Sequence, residues 1–294
     1  MFMFERALVC TDFTDGLYRL ASFVPSLAAS GIKHIVFLHA VAVPEQQIPR
    51  QDDKRLVQVR DRLMARMGEI PDQIEVKVEV AWGKPVESIL SAIKTYQSDV
   101  VVLGTSTSNL LSEKLFGSTS VALCQKITVP ILMLRPELIC ALTNEELDLR
   151  CRHLFRYLLI PYDASEAAQY LVQQIAHLTQ AHPTGSPERC LLYTVVADVG
   201  RDPAIRTYKL KAAQENLLAV QPSLEAAHIA VKAEVAQGNP VLQVLAAAID
   251  EDITAIATSS RTVGKLIEYS ISSFTGDILR RSCHPVLYFP PKKP

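Results

Sequence analysis

The chain repeats itself, and that repetition constrains its fold more than any single motif. Residues 7–14, ALVCTDFT, are echoed by residues 158–165, LLIPYDAS: an apolar run, an Asp, and a hydroxyl two residues on. HIVFLHAVAV (34–43) pairs with RCLLYTVVAD (189–198), and WGKPVESILSAI (82–93) with QGNPVLQVLAAAI (237–249). SDVVVLGTSTS (98–108) pairs with EDITAIATSSR (251–261), and TVPILMLRP (128–136) with CHPVLYFPP (283–291). The displacements are 151 from Asp12 to Asp163, 154 from Val41 to Val195, and 155 both from Gly83 to Gly238 and from Pro130 to Pro285. Five blocks in one order at nearly constant displacement identify a tandem duplication of about 145 residues. The expected division is a first domain over 1–137, a linker with a short helix over 138–155, and a second domain over 156–294.

Within each half, near-continuous Val/Ile/Leu runs alternate with longer amphipathic stretches. Such runs are strands buried on both faces, and strand–helix alternation makes the sheet parallel. In the first half strands are expected near 7–11, 34–41, 75–81, 100–104 and 129–134, and helices near 16–30, 50–68, 85–96 and 118–127. The fold class is therefore α/β, two open doubly wound parallel sheets in tandem. Pro85 and Pro240 suit the first turn of a helix, where a missing N–H costs nothing. Thr143-Asn144-Glu145-Glu146 is a capping-box pattern for a helix in the linker. The last strands, Ile131–Leu134 and Val286–Phe289, carry few charges to protect an edge. They are expected to pair or pack across a pseudo-two-fold interface, an intramolecular imitation of a homodimer that leaves room for a true homodimer.

Composition removes several function classes. Lys+Arg 30 against Asp+Glu 31 gives a formal charge of −1, which disfavours general nucleic-acid or polybasic membrane binding. Aromatics at 6% are too few for a single-strand stacking platform. The six cysteines show no CxxC, so reduced core thiols are expected rather than metal knuckles or a redox pair. No HExxH or close His pair supports a metal site, and His39 and His177 read as packed or surface residues. MFMFER lacks the apolar stretch of a signal peptide, and no apolar run approaches membrane-helix length, so a cytoplasmic protein is expected. GxxxxGK[ST], GxGxxG and GxSxG are all absent. Trp82 reads as a packing residue at the end of strand 3, and the charged run 50–69 as a solvated helix face.

Ligands of an open α/β sheet sit beyond the carboxyl ends of its strands, at the point where strand order reverses. Cys10-Thr11-Asp12, Ala40-Val41 and Leu103-Gly104-Thr105-Ser106-Thr107 end there, and Gly117-Ser118-Thr119-Ser120 opens a helix. A Gly followed by hydroxyls at a helix start makes a phosphate cradle, or else Ser118 or Thr119 simply caps the helix. Asp12 either accepts hydrogen bonds from ribose hydroxyls or closes the strand as an Asx turn. Residues alone leave both pairs of alternatives open.

Together these residues resemble the universal stress protein family in its tandem form, whose signature is G-2x-G-9x-G followed by Ser or Thr, with an Asp after strand 1 and a Val after strand 2. Gly104, Gly117, Ser118, Asp12 and Val41 match, while Thr107 stands where the family's ATP binders have Gly. The resemblance implies the Rossmann-like fold of the adenine nucleotide alpha hydrolase type. It implies ATP or a related adenine nucleotide, with or without Mg, as ligand of a stress-response regulator with at most slow hydrolysis. Asp12, beside Cys10, would meet the ribose or adenine edge, and Val41 the adenine. Gly104 and Gly117 would admit the phosphates past Thr107, with Ser118, Thr119 and Ser120 holding their oxygens. In the second half Asp163 and Val195 persist, Ala257 falls opposite Gly104 and Ser260 opposite Thr107. Ser272-Ser273 replaces the Gly-Ser two residues later than that spacing predicts. One nucleotide per chain, in the first half, is the expectation, with a degenerate interaction module as the alternative. No catalytic residue is assigned.

Overall fold

The computed structural model describes residues 3–13, 16–41, 53–104, 123–124, 126–180, 187–197, 202–260 and 274–291. Two compact units divide the chain, Phe4–Arg152 and His153–Pro294, the first three residues grouping with the latter.

The first unit begins with β1 (Arg6–Cys10), a 3₁₀ helix (Leu17–Phe23), α1 (Val24–Ala29) and β2 (His34–Val41). It continues through α2 (Asp53–Met64), β3 (Glu75–Trp82), α3 (Pro85–Tyr96), β4 (Val100–Gly104) and β5 (Ile131–Leu134). All strand pairs are parallel, in the order β3-β2-β1-β4-β5, so the order reverses between β1 and β4. Ala7, Leu8, Val9, Phe37 and Val100–Val102 are buried at 3% exposure or less, as strands covered on both faces must be. Lys84 is the residue before α3 and Pro85 its first residue, and Gln97 ends it in a left-handed conformation.

After β5, α4 (Pro136–Ala141) and α5 (Asn144–Arg152) return to the start of the same unit. The capping box is formed: Thr143 N donates to Glu146 Oε2 at 2.8 Å and Glu146 N to Thr143 Oγ1 at 3.3 Å. Arg19 donates to the carbonyls of Ile139 and Leu142, which end α4 and would otherwise lack partners. Ser26, buried in α1, donates to Asp148, whose other oxygen takes Arg152 Nε at 2.7 Å.

The second unit repeats the plan: β6 (Tyr157–Pro161), α6 (Glu166–Gln180), β7 (Arg189–Val196), α7 (Pro203–Glu225), β8 (Ala230–Gln237), α8 (Pro240–Asp250), β9 (Ala255–Ser259), α9 (Phe274–Arg281) and β10 (Val286–Phe289). Its parallel order is β8-β7-β6-β9-β10, reversing between β6 and β9. Helix α6 packs against α7, and α8 against α9, one pair for each crossover direction. Asp202 caps α7 through Ala204 N at 2.9 Å, and Asn239 caps α8 through Leu242 N at 3.1 Å, each followed by Pro as its first residue.

Gly83 and Gly238 turn the chain from β3 and β8 toward the next helix at φ 131° and 126°. Each donates its N–H to the end of the neighbouring strand, Val41 O and Val196 O, at 3.1 Å. A Cβ at Gly83 would meet nothing within 4 Å, so the requirement there is conformational rather than steric. Gly83→Ala should therefore cost about 1–3 kcal/mol. Urea titration followed by Trp82, the chain's single tryptophan and a reporter for the first unit, measures this directly. An unchanged midpoint would show that the turn carries no conformational cost.

Candidate functional site

Strand register decides which side chains reach the switch points. Thr11 N and Tyr162 N donate to Leu38 O and Tyr193 O, Asp99 N and Thr254 N to Arg6 O and Tyr157 O, and Val101 N and Ile256 N to Pro130 O and Pro285 O. These matched bonds make Asp163 the counterpart of Asp12, as the sequence pattern requires. They correct three other pairings. Val41 corresponds to Val196, not Val195, because Gly83 and Gly238 bond to those two residues. Val41 is 3% exposed, and it is Val195, counterpart of Ala40, that borders an open crevice. A one-residue slip along a strand turns a side chain to the other face. Ala257 corresponds to Val102 and is fully buried inside β9, while Ser259 takes the place of Gly104 at the strand end, so that Ser260, the very next residue, is not opposite Thr107. Thr107, Gly117, Ser118, Thr119, Ser120, Ser272 and Ser273 lie outside the described residues.

At the β6/β9 switch point the second unit holds a cavity of about 810 Å³. Asp163, Val195, Ser259, Ser260 and Thr275 border it, with Tyr162 and Tyr193 in its wall. Asp163 is exposed at its rim, where Oδ1 accepts Ser165 N at 3.0 Å in an Asx turn. No described residue bonds to Oδ2. The hydroxyls on the β9 side are already oriented. Thr275 Oγ1 lies 3.0 Å from Thr258 Oγ1 and donates to Ser259 O at 3.0 Å. Ser259 Oγ donates to Phe289 O at 2.9 Å, and Ser260 Oγ lies 2.9 Å from Tyr288 Oη. Burial raises the pKa of Tyr162 and Tyr193 above the usual phenol value, so both remain neutral donors at physiological pH.

A lateral lobe of about 300 Å³ adjoins this cavity through the shared Tyr162, Asp163 and Val195, and runs between the ends of β6 and β7 and helix α7. Thr194, Val196, Lys209 and Asn216 line it. Thr194 Oγ1 donates to Tyr162 O at 2.6 Å.

The first unit has the same backbone here and different side chains. His39, in the place of Thr194, bonds through Nδ1 to Thr11 O at 2.8 Å. Phe13 and Ala164, which follow the paired aspartates, are both left-handed, at φ 67° and 60°. The Phe13 ring lies 4.9 Å from that of His39, and the Arg62 guanidinium stands 4.3 Å over its centroid. Tyr18 and Arg66 extend the cluster. Cys10, half-buried, ends β1, and Gly104 ends β4. Sequence reasoning missed Phe13 and Arg62, the first for lack of a motif and the second because it sits in a charged run that otherwise reads correctly as solvated.

All six cysteines are outside disulfides, and burial pushes the Cys124 and Cys151 thiols up to about 12. Among the described residues no group of three or more His, Cys, Asp or Glu is placed to hold a metal ion, and no helix is long and apolar enough to cross a membrane.

The model of the universal stress protein family matches residues 3–135 and again 155–290. The chain belongs to the universal stress protein family. No curated protein is significantly similar to it. Among solved structures, a universal stress protein from Archaeoglobus fulgidus DSM 4304 shares 19% identity over 96% of this chain and 97% of its own, with a TM-score of 0.61. A functionally unknown protein from Pseudomonas aeruginosa PAO1 shares 12% identity over 98% and 93%, with a TM-score of 0.58. At such identities the likeness is one of fold. It extends over both units of this tandem universal stress protein.

Proposed function

We propose that the chain is a stress-response regulator that binds one adenine nucleotide at the strand-end crevice of its second unit and does not turn it over efficiently. One observation carries the reading: at the rim of an 810 Å³ cavity, Asp163 keeps a carboxylate oxygen without a partner among the described residues. Such an oxygen can take both hydroxyls of a ribose, and the cavity volume falls in the range of small-ligand sites. Asp163 is also the single charged group among the described residues lining that cavity, so no acid–base pair for hydrolysis can be named there. Magnesium would arrive with the phosphates.

A second reading keeps the nucleotide in the first unit, favoured by Asp12 and Gly104 at the β1/β4 switch point and by the spacing to Gly117 and Ser118. Calorimetric titration with ATP separates the two. The expected stoichiometry is near one per chain, abolished by Asp163→Ala and spared by Asp12→Ala. The opposite pattern would move the site to the first unit, and no heat with any adenine nucleotide would support an interaction module instead. Bound nucleotide should add about 2.7 kcal/mol of stability at a hundredfold excess over the dissociation constant.

A further inference from the structure

We infer that Phe13 and Arg62 act as a built-in plug that keeps an aromatic-base ligand out of the first unit, a role that rests on the nucleotide reading above. The two units present the same scaffold at this point. Each has a strand-end Asp, a left-handed residue after it, and a side chain of the neighbouring strand bonded to the carbonyl before the Asp. In the second unit that left-handed residue is Ala164, and the lobe walled by Val195, Val196 and Asn216 opens beside Asp163, the residue immediately before it. A flat heteroaromatic base needs such a slot, apolar on its faces and polar at its edge. In the first unit the left-handed residue is Phe13. Its ring lies against His39, with Arg62 over its face at 4.3 Å.

Arg62 comes from α2, which follows β2 as α7 follows β7, and it is α7 that supplies Asn216 to the lobe wall. The phenyl ring meets the imidazole at a tilt of 52° and takes the guanidinium over its face, a contact that an incoming base would otherwise make. Left-handed backbone is unfavourable for an aromatic residue, yet Phe13 adopts the same turn as Ala164, its N–H donating to Thr11 Oγ1 at 3.1 Å.

The test exchanges the residues of the two units. ATP is titrated calorimetrically into the full chain carrying Phe13→Ala with Arg62→Asn, in an otherwise unaltered background and in one carrying Asp163→Ala. The expected result is one additional site relative to the parent in both backgrounds, lost again when Asp12→Ala is added. No additional site in a variant that keeps its Trp82 emission and melting transition would overturn the plug. It would leave the second-unit reading standing, because that depends on the loss caused by Asp163→Ala alone. Should the exchange disturb folding, the reciprocal variant decides. Ala164→Phe with Asn216→Arg should weaken ATP binding to the second unit at least about tenfold, and unchanged affinity would refute the inference.

Discussion

Phe37→Ala should lower the stability of the first unit by about 3–5 kcal/mol, the usual cost of removing a fully buried aromatic side chain. Phe37 has no exposed surface and lies in β2, with Val9 of β1 beside it in register on one side and Val78 of β3 on the other. Helix α3 packs on the same strand. A parallel strand covered on both faces has little freedom to collapse into a cavity, so the loss should fall toward the upper part of that range. For a unit of this size it corresponds to roughly 10 °C in melting temperature. Because Trp82 lies in that unit, the shift should appear in its fluorescence. A change below 1 kcal/mol would mean that the β2 core is not packed as described.

Asp99 is the other residue whose loss should be severe. Its carboxylate accepts Glu5 N at 2.8 Å and Arg6 N at 2.9 Å, while its own N–H donates to Arg6 O at 2.9 Å, clasping β1 to β4 before the sheet begins. Asp99→Ala leaves two half-buried N–H groups without partners, at a cost of about 2–4 kcal/mol. The second unit makes the same clasp with a neutral group: Thr254 Oγ1 accepts Tyr157 N and donates to Tyr157 O, both at 3.0 Å. The pair should therefore respond differently to pH. Burial raises the Asp99 pKa above the usual carboxylate value, against the lowering effect of the backbone N–H groups of Glu5, Arg6 and Asp99 itself. A raised folded-state value means that the folded unit binds the proton more tightly. This contribution to stability is fully present below the unfolded pKa, near pH 4, and is lost as pH rises through the raised folded value. Asp99→Asn should flatten that dependence, whereas Thr254→Val should leave any pH dependence as it was. An unaltered pH profile in Asp99→Asn would assign the slope to another group.

Most of the fold could be read from the chain because its strands are continuous apolar runs and its turns are marked by Gly-Lys-Pro and Gly-Asn-Pro. β2 and β4 match their expected bounds, α3 begins at Pro85, and the capping box at Thr143 closes as its pattern requires. The site was less legible, for a reason of geometry. Aligning runs of similar hydrophobicity leaves the register uncertain by one or two residues, which suffices to exchange Val196, which borders only the lateral lobe, for Val195, which borders the main cavity as well, and strand-interior Ala257 for terminal Ser259. The signal that resolves it was present: Gly83 to Gly238 and Pro130 to Pro285 share a displacement of 155, and applying it to Val41 and Gly104 gives Val196 and Ser259. Phe13 could not be found this way. Its neighbours His39 and Arg62 come from two other elements, and their approach depends on a left-handed backbone that nothing in an Asp-Phe-Thr tripeptide announces.

The paired left-handed turns at Phe13 and Ala164 bear on how such a molecule diverges. Two identical subunits must carry the same residue at a position, so a side chain that closes one pocket closes its twin as well. A fused gene lifts that constraint. The backbone of the turn is inherited in both copies, while the residue mounted on it is free to change in one. Each translated chain then delivers one phenylalanine and one alanine on the same frame, in a ratio that no change in expression can alter.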